Sequence, residues 1–134
     1  MSWDVSVQRF SREYETVDEI PETERCFPLG SRAEVSAAIS RHFPGTNWAD
    51  PAWGVFDSQD ESIEFNMGES EPSEGFMMHI RASSAVVPAV VAMCIAEQWQ
   101  ALDCSTSEFL ERVKNPTVGL QQWTQFRNQV VEDA

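Results

Sequence analysis

The chain has 134 residues, a net charge of −13 from 22 Asp and Glu against nine Lys and Arg, and 42% hydrophobic content that includes five Trp and eight Phe. That length suits one domain spanning residues 1–134, and the apolar content is enough for a core, which excludes disorder of the whole chain. The charge repels phosphate polymers and anionic membrane surfaces, so nucleic acid and membrane are excluded as partners and a basic protein is the expected one.

Trp3, Val5 and Val7 alternate with Asp4, Ser6 and Gln8, the period of a half-buried strand. From about residue 11 to 30 the chain carries Glu13, Glu15, Asp18, Glu19, Glu22 and Glu24, with Pro21 and Pro28, and reads as a long acidic loop, solvated and mobile, with one short helical turn. Ser31 and Glu34 make a capping box, and Val35, Ala38, Ile39 and Phe43 recur at helical spacing until Pro44-Gly45 stops the helix.

Three strands are predicted next: Trp53–Phe56, then Ile63, Phe65 and Met67 alternating with Glu64 and Asn66, then Phe76, Met78 and Ile80 alternating with Met77, His79 and Arg81. Residues 68–75 are too many for a tight turn and read as a protruding, negative, mobile loop. A helix capped by Ser83 or Ser84 follows, with Pro88 near its first turn and a sheet-facing stripe of Val87, Val90, Val91, Cys94 and Ile95 that Ala89, Ala92 and Met93 widen. Gln100–Cys104 reads as a final strand with Leu102 as its core contact. A second capping box, Ser105 with Glu108, predicts a short helix carrying Phe109, Leu110 and Val113. Asn115-Pro116 then opens a last helix with Leu120, Trp123, Arg127 and Val130 along one line, so the C-terminal helices occupy about 106–131. This order predicts an α+β fold: a ferredoxin-like-related antiparallel or mixed sheet of about five strands, helices on one face, and a C-terminal helical addition.

The strand phases place Glu64, Asn66, His79 and Arg81 together on the uncovered sheet face, where a carboxylate, an amide, an imidazole and a guanidinium suit a polar ligand or acid–base work. An ordinary solvated face with cross-strand ion pairs looks the same. Trp48 and Trp53 flank Asp50-Pro51 and either cap the sheet or line a groove; an exposed Trp among acids is an interface anchor. Between His42 and Ile80 there is no Lys or Arg, and Asp57, Asp60, Glu61, Glu69, Glu71 and Glu74 supply the acidic partner surface.

No metal site is expected, because His42 and His79 lack ligand spacing with each other or with a Cys, and Asp57–Glu61 lacks the calcium-loop pattern. No cofactor is expected, since the glycine-rich phosphate and dinucleotide signatures are missing, and no catalytic residue is assigned. Cys26, Cys94 and Cys104 form no C-x-x-C pair, and MSWDVSVQRF has neither the basic nor the apolar region of a signal peptide, so a reducing, cytoplasmic setting is expected.

The segments DPAWG, SIEFNMG and WQALDCSTSEFL together resemble a family of small uncharacterised bacterial proteins, over most of the chain. The resemblance implies a bacterial, cytosolic, single-domain protein and no particular activity or site. The residues themselves point first to an acidic protein–protein interaction module, such as an immunity-type inhibitor of a basic toxin, whose acids imitate a phosphate track. The alternatives are a small-molecule or effector-binding domain on the open sheet face, and a small enzyme with His79 and Glu64 as an acid–base pair.

Overall fold

Alternation along the first strand, β1 (Trp3–Gln8), becomes burial: Trp3, Val5 and Val7 are closed off while Asp4, Ser6 and Gln8 stay half-exposed. The computed structural model describes residues 2–59 and 61–133. After β1 come α1 (Arg32–His42), the strands β2 (Asn47–Asp50), β3 (Trp53–Ser58), β4 (Glu61–Asn66) and β5 (Phe76–Arg81), then α2 (Val87–Glu97), β6 (Gln100–Asp103), β7 (Glu108–Phe109) and α3 (Val118–Asp133). The strands make one sheet in the order β2-β3-β4-β5-β1-β6-β7, and every adjacent pair is antiparallel.

The α+β class therefore holds, with seven strands rather than about five. Among the described residues no pair is parallel, and β1 lies between β5 and β6. One core gathers Val35, Ala38 and Ile39 of α1, Val87, Val90, Met93 and Cys94 of α2 and Leu120 of α3 against Val5, Val7, Ile63, Phe65, Met78 and Ile80. All three helices thus cover one face of the sheet and leave the other open.

Local chemistry sets the helix limits. Ser31 Oγ accepts from the Glu34 amide at 3.1 Å while Glu34 Oε1 accepts from the Ser31 amide at 3.0 Å, which fixes the start of α1. Arg41 and His42 in its last turn both meet Glu97 of α2, at 2.9 and 3.4 Å. Pro88 occupies the first turn of α2, and Gln98, at φ 61°, ends that helix with the Trp99 amide bonded back to the Cys94 carbonyl.

Four expectations change. The sheet-facing stripe of α2 keeps Val87, Val90, Met93 and Cys94, whereas Ala92 is exposed and Ile95 is 62% exposed, because the helix is rotated by part of a turn relative to the Val91–Ile95 line. Leu102 faces the open side, and Ala101 and Asp103 point to the core, in phase with their partners Val7 and Val5. No helix forms over 106–113. The Asp103 carboxylate takes the Ser105 and Thr106 amides, Ser107 turns to φ 59°, and the chain returns as β7 beside β6. The acidic segment 11–30 is exposed but strapped down: Tyr14 is buried, with its amide and carbonyl both bonded to the Gln100 side chain, and Arg112 pairs with Glu13 and Glu15.

Candidate functional site

The antiparallel registers carry a row of side chains across the open face: Val55 of β3 lies opposite Glu64 of β4, Glu64 opposite His79 of β5, and His79 opposite Asp4 of β1. His79 Nδ1 lies 2.9 Å from Asp4 Oδ1, and the same oxygen accepts from Ser2 Oγ at 2.5 Å. The Trp53 ring stacks on His79, with centroids 5.8 Å apart and planes 21° from parallel. Arg81 Nη1 lies 3.7 Å from Glu64 Oε1. An imidazole that donates through Nδ1 to a carboxylate keeps Nε2 as an acceptor. Among the described residues no hydroxyl or thiol is bonded to that nitrogen.

The structure thus brings Glu64, His79, Arg81 and Trp53 together, and adds Asp4, which sequence reasoning missed. Alternation placed Asp4 on a face, but only the β1–β5 register names its neighbour. Asn66 lies on the same face, one row along opposite Trp53 and Met77, and its Oδ1 is occupied by the Gly68 amide at 3.2 Å. Trp48 belongs elsewhere. Its ring covers Gly54 and approaches Phe65 on the helical side, and its Nε1 donates to Ser40 Oγ of α1 at 2.9 Å, so it shares no groove with Trp53.

The acids divide between the two ends of the face. Asp57 is exposed at the end of β3 on this face, whereas Glu61 at the start of β4 is in phase with Ile63 on the helical side and accepts from Ser83 Oγ. Asp60 lies outside the described residues. At the other end, Glu69 and Glu74 are exposed, and Glu74 borders a shallow cleft with Gln8, Cys26 and Asn66. Glu71 turns away from this face. It accepts from the Arg32 amide at 3.2 Å and pairs with the Arg32 side chain, which docks the loop on the start of α1. With Ser73 fully buried and bonded through its backbone to Leu29 and Gly30, residues 68–75 are pinned to the body rather than protruding freely.

No match to this chain is found among protein-family models, curated proteins or solved structures. Chemistry must therefore be read from the side chains. Burial raises all three thiols above their usual range, with nearby carboxylates adding to it: Glu74 and Glu24 at Cys26, Glu111 at Cys94, Asp4 and Asp103 at Cys104. Among the described residues no group of three or more His, Cys, Asp or Glu side chains is placed to hold a metal ion. No helix among them is long and apolar enough to cross a membrane.

The arginines are mostly committed within the fold. Arg9 donates to the Pro28, Glu97 and Gln98 carbonyls, Arg12 lies over the Tyr14 ring, and Arg32, Arg41, Arg81 and Arg112 pair with carboxylates. No ion pair holds Asp57, Glu61, Glu69 or Glu74 among the described residues. The surface of the open face is an aromatic–imidazole stack with unneutralised carboxylates at both ends of the strands, roughly 20 Å apart by strand rise.

Proposed function

We propose that this chain is a protein-interaction module whose open sheet face receives a basic protein. The observation that carries this reading is the Trp53–His79 stack on the face, with Asp57 beyond one end of it and Glu69 and Glu74 beyond the other. A half-exposed aromatic anchor supplies the short-range contact, and the unpaired carboxylates steer a cationic partner and set its orientation. The specific form we favour is an immunity-type inhibitor, in which the carboxylates occupy the groups that a basic toxin, such as a nuclease, uses against phosphates.

The test compares affinity capture from a bacterial lysate by the wild-type chain, by Trp53→Ala and by a Glu69→Lys/Glu74→Lys double variant, with retained proteins identified by mass spectrometry. A single basic protein held by wild type, released by moderate salt and weakened roughly 30-fold by Trp53→Ala is the expected result. Equal retention by all three forms, or retention indifferent to salt, would overturn the proposal.

A further inference from the structure

At the end of the sheet where β1 begins and β6 ends, side chains from both faces and from α3 meet around an open cleft of about 410 Å³. Trp3, Trp123 and Phe126 provide its aromatic walls, Cys104 a further apolar contact, and Asp4 its charge. The cleft exists because α3 docks by its N-terminal half, through Leu120 and Trp123. Gly119 is closed against Asp103 and Ser105, and Leu120 is fully buried, but from Gln125 to Gln129 the helix is exposed, with Phe126 at 56%. A wedge of space is left between the departing helix and the strand ends.

Two features make this wedge more than a surface groove. Its volume lies in the range of small-molecule sites, and such sites join apolar walls to a few placed polar groups. Both contacts recorded for the Asp4 carboxylate, from Ser2 Oγ and His79 Nδ1, fall on Oδ1, so Oδ2 remains available. No Lys or Arg lines the cleft; the Arg127 guanidinium, 5.0 Å from the Trp123 ring centroid, stands outside it.

We propose that this cleft binds a small aromatic amine, with its ring among Trp3, Trp123 and Phe126 and its ammonium on Asp4. Aromatic faces and a carboxylate both favour a cation, and the net charge of −13 adds to that preference. The inference shares Asp4 with the open face but takes its aromatic walls from Trp3 and α3, so the Trp3 and Trp123 signals report on it separately from Trp53.

Tryptamine, tryptophol and indole-3-propionate are suitable probes, because they share a ring and differ in charge. Each is titrated into the full chain while the five Trp indole N–H signals are followed by nitrogen-15 NMR. Tryptamine is expected to shift the Trp3 and Trp123 signals to saturation, with the neutral and anionic probes at least about fivefold weaker. Asp4→Asn should bring tryptamine down to the affinity of tryptophol, and Phe126→Ala, at an exposed helical position, should weaken all three probes together. Equal affinity for the three probes, an unchanged affinity in Asp4→Asn, shifts centred on Trp53 instead, or no saturable shift would each overturn the proposal.

Discussion

Gly54 shows how one missing side chain decides a neighbourhood. A Cβ there would stand 2.5 Å from Cζ3 of Trp48, whose ring is held against Phe65 and by its bond to Ser40. The ring has little room to retreat. Gly54→Ala should therefore destabilise the fold by about 1–3 kcal/mol, measured as a lower denaturant midpoint with an unchanged slope. Glu24 makes a different residue-scale prediction. Hydrogen bonds from the Tyr14 and Ser11 hydroxyls hold its carboxyl down at about 2, against 4.5 for the free group. A depressed carboxyl contributes stability above its unfolded value and loses it as pH falls through the folded one. The stability gap between wild type and Glu24→Gln should thus be widest above pH 4.5 and close towards pH 2, as read from denaturation midpoints across that range. Glu111 runs the other way: burial raises its carboxyl, so its share of stability declines as pH rises above 4.5 towards the raised value.

Among the elements, α3 depends on the close approach of Gly119 to β6, where a Cβ would fall 2.0 Å from Asp103 Oδ2 and 2.8 Å from Ser105 Oγ. Asp103 is itself buried and receives Trp3 Nε1 at 3.0 Å and Ser105 Oγ at 2.6 Å, so it has no freedom to yield. Gly119→Ala should loosen the helix, costing about 1–3 kcal/mol and speeding amide exchange over residues 118–126 ahead of the sheet. This hub also explains what the sequence concealed. Strands β1, β4 and β5 were legible because each buries one face, which forces alternation, and α1 was legible because its cap is written locally in Ser31 and Glu34. Ser105 and Glu108 spell the same capping box, yet the carboxylate two residues upstream captures the amides that a helix start needs. β2 has no alternation to read, since it is an edge strand whose Asn47, Ala49 and Asp50 are all exposed. Of the candidate site, the Glu64–His79–Arg81 patch followed from strand phase alone. The Asp4 contact and the separation of Trp48 from Trp53 required the registers and the position of α1.

For the whole molecule, a net charge of −13 means that folding gathers like charges, and added salt screens their repulsion. The thermal midpoint should rise with sodium chloride between about 10 mM and 0.5 M; recovery of about 1 kcal/mol would appear as ~4 °C. A flat or falling midpoint by calorimetry would show that the ion pairs of Arg32, Arg41, Arg81 and Arg112 outweigh the repulsion. The place of β1 has a consequence for synthesis. Its neighbours are β5 and β6, with Trp3 beside Ile80 and Val5 beside Asp103. β1 therefore has no partner until β5 has been made, about 70 residues later, whereas β3 and β4 can close on each other at once. During that wait Trp3, Val5 and Val7 form an apolar ribbon with both edges unpaired, a natural target for a chaperone or for a second nascent chain. How cleanly the protein assembles in a cell is thus decided by how soon β5 and then β6 arrive.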